Sequence, residues 1–193
     1  MQPDLAPTLL IIPGLREHVA LHWQTLLEAS VPNARSVPPP SRDGLDCAVR
    51  VASIERALAA IDGPVILVAH SAGVLMVAHW AARHRRPILG ALLATPPDPS
   101  ASWPAQYPQP ETLRANGWLP LPRAPLPFPS IVAASSDDPL ASVGAARALA
   151  ADWGAELVEL GPVGHLNPAA GFGPWPQATR LIARLRAGAV VMK

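Results

Sequence analysis

A serine hydroxyl attacks an acyl carbon only when a neighbouring base takes its proton. Serine and histidine in suitable surroundings are therefore the first features of interest. The segment Ala69-His70-Ser71-Ala72-Gly73 follows the most apolar run of the chain, Val65 to Ala69, and opens a helical pattern over 72–84. A serine between strand and helix, flanked by small residues two before and two after, suits a nucleophile elbow. The sharp turn exposes the hydroxyl and crowds the flanking positions against one another, which Ala69 and Gly73 tolerate. The helix start also supplies free backbone N–H groups beside the serine, where an oxyanion would develop. The string alone is common, and its plain alternative is Ser71 as a helix N-cap.

The base must come from six histidines: His18, His22, His70, His79, His84 and His165. His70 lies within the elbow with its ring expected to point away from Ser71, and His79 and His84 lie in the helix behind it. His18 and His22 are four apart, a spacing that could suit a metal. They lack the His-Glu-x-x-His order and a nearby carboxylate cluster, so packing or surface roles are favoured. His165, in Gly161-Pro162-Val163-Gly164-His165, follows the last strand pattern. Loops at the carboxyl ends of parallel strands are where catalytic groups gather.

An acid should orient the imidazole and stabilise its protonated form. Ser135-Ser136-Asp137-Asp138-Pro139 closes the preceding strand and offers two aspartates. Pro139 restricts the backbone before it, which favours Asp138; Asp137 is expected to cap the next helix or face solvent. The order Ser71, Asp138, His165 is that of the α/β-hydrolases and differs from the trypsin and subtilisin orders. Ala72 N–H is one expected oxyanion donor, and Leu15 N–H, in Pro13-Gly14-Leu15, is the other.

The elements that must position these residues are legible from periodicity. Apolar runs at 8–12, 34–37, 65–69, 88–94, 130–135 and 156–160 read as strands, several of them apolar at every position, as in a sheet covered on both faces. Helical spacing falls at 17–29, 48–61, 72–84, 141–153 and 175–186. Strands alternating with helices indicate a parallel sheet with helices on both sides. Eleven of the 25 prolines fall between Pro96 and Pro129. That stretch reads as a long surface connection of polyproline character, or as one that shapes a binding site. The pocket is expected to draw on it and on the Phe172 to Trp175 loop.

Bulk properties narrow the classes further. The 193 residues suit one domain, 1–193, and half are hydrophobic, enough for a single core. A net charge of +1 gives no electrostatic reason for a nucleic-acid partner. The sole cysteine, Cys47, excludes an internal disulfide and a cysteine zinc cluster; it reads as a packed thiol at a helix start. Asp4, Pro3 and Pro7 interrupt any signal-peptide pattern, and no apolar run approaches the ~20 residues that span a bilayer. A cytoplasmic protein with no membrane association, no metal and no cofactor is expected, and homodimerisation is allowed. A dinucleotide-binding protein is disfavoured because no Gly-x-Gly-x-x-Gly follows the first strand.

The chain also resembles the small serine-hydrolase family that includes the bacterial YdeN-like proteins and the retinoblastoma-binding protein 9 type. The matching segments are Pro13-Gly14-Leu15, His22-Trp23-Gln24, Ala69 to Gly73, Pro125 to Ser130, Ser136 to Pro139, Gly164 to Asn167 and Gly171 to Pro176. The resemblance implies a compact α/β-hydrolase fold, a three-layer sandwich around a mostly parallel sheet without a large lid. It implies a Ser-Asp-His triad, with the aspartate before proline (Asp138) as its acid. It also implies hydrolysis of a small ester or related acyl compound. Ala69 stands where glycine is usual and is small enough to keep the turn. The rival readings are a non-catalytic protein-binding module on the same scaffold, and an acyltransferase or peptidase using the same triad.

Overall fold

Six strands form one sheet in the order β2-β1-β3-β4-β5-β6, every neighbouring pair parallel. They are β1 (Thr8–Ile12), β2 (Ala34–Ser36), β3 (Val65–His70), β4 (Gly90–Ala94), β5 (Ser130–Ala134) and β6 (Glu156–Glu159). A computed structural model gives this architecture and describes residues 6–16, 19–38 and 44–191, with side chains to 188. The helices are α1 (Trp23–Ser30), α2 (Cys47–Ala59), α3 (Ala72–Arg83), α4 (Pro110–Ala115), α5 (Val143–Trp153) and α6 (Pro176–Val191). None among the described residues is long and apolar enough to cross a membrane.

The strand pattern explains the two cores. In β1, Leu10 and Ile12 face one layer while Leu9 and Ile11 face the other, and β3 divides in the same way between Leu67 and Ile66. The first layer is closed by α2, α3 and α5 through Ile54, Leu58, Leu75, Leu149 and Trp153. The second is closed by α1 and α6 through Trp23, Leu27, Leu181 and Leu185. Each fully buried aliphatic side chain contributes about 1.5–3 kcal/mol, and β3 is buried at all six positions.

Two sequence expectations are corrected. The first helix begins at Trp23 rather than residue 17, because His22 is its N-cap: the His22 Nδ1 accepts from Gln24 N–H at 3.2 Å. Val19 and Leu21 lie outside the helix and are exposed. The proline-rich connection is not a surface strap. Trp103, Leu113, Trp118 and Phe128 are buried in the α2/α3/α5 layer, and α4 forms within it. The Trp118 indole donates to Leu45 O at 2.7 Å and the Trp153 indole to Pro122 O at 3.0 Å. The first bond ties the segment to the residues just before α2, and the second satisfies a carbonyl of a segment whose prolines have no N–H donors of their own.

Cys47 opens α2, as expected, and is packed. A helix start and nearby Arg83 would lower a thiol's pKa, but burial outweighs them and pushes it up to about 11. His18, Pro3 and Asp4 lie outside the described residues.

Candidate active site

Ser71 occupies the junction of β3 and α3 with φ 56° and ψ −130°, a conformation that non-glycine residues rarely adopt. Its N–H donates to Ala94 O of the neighbouring strand at 3.0 Å. Ser71 stands at the N-cap position of α3, but its hydroxyl makes no capping bond to the helix. The required smallness has a different cause from the one expected. A methyl at Gly73 would lie 2.2 Å from Ile12 O and 2.7 Å from Pro13 O. The tightest crowding is therefore against the end of β1. Gly14 packs directly on the serine, where an added Cβ would stand 3.0 Å from Ser71 Cβ and 3.3 Å from Oγ.

The loops after β5 and β6 bring the acid and the histidine to the same rim. The Ser71 hydroxyl lies 2.8 Å from His165 Nε2. His165 Nδ1 lies 2.9 Å from both Asp138 oxygens, and the two side chains are only 5% and 3% exposed. A carboxylate can only accept, so Nδ1 carries the proton and Nε2 is the lone-pair nitrogen that accepts the serine O–H. Asp138 Oδ1 also accepts from Leu140 N–H at 2.9 Å, which fixes the carboxylate's orientation.

Asp137 is exposed as expected but does not cap α5, whose cap is Ser142. Its Oδ1 instead accepts from Ser135 Oγ at 2.8 Å and from Gly164 N–H at 2.7 Å. Those hydrogen bonds, Ser135 first, hold its carboxyl below the ordinary range. Asp137 thus ties the loop bearing Asp138 to the residue preceding His165.

The model for the family described as "Serine hydrolase" matches residues 9–184. The chain belongs to the serine hydrolase family. Among solved structures, a YdeN-like hydrolase from Pectobacterium atrosepticum is 31% identical, with a TM-score of 0.79 over 94% of this chain and 91% of that one. The ydeN gene product of B. subtilis superposes with a TM-score of 0.75 at 17% identity, covering 94% of this chain and all of that one. Est1E from Butyrivibrio proteoclasticus gives 0.70 at 13% identity, over 98% and 90%. The last two are likenesses of fold. No curated protein matches the chain in sequence.

In this serine hydrolase a second set of histidines supports the first. The His70 Nε2–H donates to the backbone carbonyl of His165 at 2.9 Å. Burial above all, with the neighbouring His165 and His22 rings, pushes its pKa well below 6.5, so it stays neutral. The His22 and His70 ring centroids are 4.6 Å apart and those of His70 and His165 are 5.0 Å apart. Buried Gln24 donates to Val68 O at 2.9 Å and Ile12 O at 3.3 Å, satisfying carbonyls near the ends of β3 and β1. Sequence reasoning gave His22, Gln24 and His70 no part in the site. The His-Trp-Gln segment was the available signal. Among the described residues no group of three ligands could hold a metal.

Leu15 is half-buried beside Gly14, and neither its N–H nor that of Ala72 makes a backbone hydrogen bond among the described residues. A pocket of about 180 Å³ opens at Ser71 and His165. Gly14, Arg16, Val19, His22, Tyr107 and Asn167 are among its walls. Tyr107 is the contribution of the proline-rich connection. The Phe172 to Trp175 loop does not line the pocket. Trp175 packs edge-on against Trp23 at 4.8 Å instead, because two large indoles bury more surface against each other than in an open cleft.

Proposed function

We propose that the enzyme hydrolyses a small ester or related acyl compound through an acyl-enzyme on Ser71. His165 Nε2 takes the hydroxyl proton as Oγ forms its bond to the carbonyl carbon. The carbonyl electrons move onto oxygen, where Ala72 and Leu15 N–H groups stabilise the charge, each worth roughly 3 kcal/mol. The tetrahedral species collapses, the bond to the leaving group breaks, and His165 returns the proton to that group. Water then repeats the sequence in reverse roles, releasing the acid and restoring the serine. Asp138 holds the imidazole in the required tautomer and balances its transient positive charge.

The observation that carries this reading is the unbroken chain from Ser71 Oγ through His165 to Asp138, at 2.8 and 2.9 Å. Its two inner members are nearly closed to water, where such bonds act most strongly. A fluorophosphonate probe tests it. Wild type should be labelled at Ser71, and Ser71→Ala should neither label nor hydrolyse 4-nitrophenyl acetate. A wild-type protein that resists the probe would leave the binding-module reading standing. Adding a competing amine separates hydrolysis from transfer: free acid as the main product supports hydrolysis, and amide as the main product supports an acyltransferase.

A further inference from the structure

We propose that the pocket selects substrates bearing an anionic group, a carboxylate or phosphate a few bonds from the scissile carbonyl, and that Arg16 binds it. The inference rests on the hydrolase reading above and adds its substrate class. Arg16 follows Leu15 directly and lines the pocket that contains Ser71 and His165. No aspartate or glutamate is among the described residues lining that pocket. Among the described residues lining it, the Arg16 guanidinium is the only permanent full charge. His70, in the same wall, is held neutral by burial.

The guanidinium is also placed rather than loose. Its carbon lies over the Tyr107 ring, 5.0 Å from the centroid, a geometry in which the ring face attracts the cation. Tyr107 is itself braced. Its N–H donates to Pro104 O at 2.9 Å, and its carbonyl accepts from Gln109 Nε2 at 3.1 Å. Its ring stands edge-on to buried Trp103 at 6.4 Å, and the Trp103 indole donates to Asp98 O at 2.7 Å. The folded proline-rich connection thus forms a shelf that restrains Arg16 at the mouth of the site. A restrained guanidinium loses less freedom on meeting a carboxylate or phosphate and can bind either with two parallel N–H groups.

Asn167 lines the same pocket, and its Oδ1 accepts from Ala170 N–H at 3.0 Å. Its amide hydrogens are then the polar groups it retains for a ligand. A cation and an amide donor in one pocket favour an electron-rich substituent over a neutral or cationic one.

The test compares esters matched except for charge. One pair, 4-acetoxy-3-nitrobenzoate and its methyl ester, places the anion on the leaving group. The other, mono-4-nitrophenyl pimelate and its methyl ester, places it on the acyl side. The readout is kcat/KM for the anionic member divided by that for its neutral partner. For at least one pair this ratio should fall about fivefold or more in Arg16→Gln, as expected for loss of a charge-assisted hydrogen bond. It should fall further in Arg16→Glu and be partly kept in Arg16→Lys, and the pair affected identifies the side of the bond. Ratios equal within about twofold in wild type, Arg16→Gln and Arg16→Glu for both pairs, with neutral esters still turned over, overturn the inference and spare the hydrolase reading. Absence of all ester turnover together with absence of fluorophosphonate labelling overturns both.

Discussion

Gly73→Ala places a methyl carbon 2.2 Å from Ile12 O and 2.7 Å from Pro13 O. An ordinary carbon–oxygen contact is about 3.3 Å or more, so the start of α3 and the end of β1 must separate by roughly 1 Å. Neither can retreat easily, because Ile12 is paired to Ala69 in the sheet and α3 is packed along most of its length. Alanine would gain up to about 1 kcal/mol of helix propensity over glycine. Overpacking costs about 1–3 kcal/mol, and contact with two backbone oxygens puts this site at the upper end. A net loss of about 2 kcal/mol lowers Tm by roughly 4–8 °C in a chain of this size. The same displacement pulls Ala72 N–H away from the Gly14-Leu15 turn, and a misplacement of that size can cost about 10²-fold in rate. Calorimetry with 4-nitrophenyl acetate kinetics measures both. Gly14→Ala is the companion, since the nearest neighbours of its methyl are the Ser71 side chain and His70 O, at 3.0–3.5 Å. It should lose rate with little change in Tm. A Gly73→Ala protein with Tm within about 1 °C and kcat within about twofold of wild type would refute the reasoning.

Three further outcomes follow from the site. Asp138→Asn keeps the shape but presents an amide to His165 Nδ1; kcat should fall by about 10⁴ in stopped assays, and a loss under tenfold would argue that another group orients the ring. Asp137→Asn weakens the acceptor of the Gly164 N–H; kcat should drop about tenfold with KM nearly unchanged, while equal losses in both would point to general loosening of the loop. His70 sets a pH dependence of stability. Its folded pKa lies well below the ordinary imidazole value of 6.5, so below that pH the unfolded chain binds the extra proton and stability rises with pH. The His70 contribution is complete above 6.5 and declines below it by up to about 1.4 kcal/mol per pH unit, until the folded pKa is reached. Urea unfolding at pH 5 and 7 should show that slope in wild type and a shallower one in His70→Gln; identical slopes would remove His70 as its source.

Much of the molecule was decided by local chemistry and could be read in order along the chain. Strands such as Val65 to Ala69 announce themselves because a strand covered on both faces must be apolar at every position. The elbow string and the order Ser71, Asp138, His165 follow from the same logic, since parallel crossovers return each strand's carboxyl end to one rim. Pro139 even tilted the choice toward Asp138. Tertiary structure alone decided the rest. It set Asp137 against Gly164 and turned His70 toward the His165 carbonyl. It folded the proline-rich connection into the core, so that Tyr107 rather than Phe172 or Trp175 borders the pocket. Periodicity and backbone sterics act over a few residues and leave their mark in the sequence. Contacts across 94 or 95 positions, such as those of His165 with Ser71 and His70, depend on strand register and loop packing, which no short window of residues records.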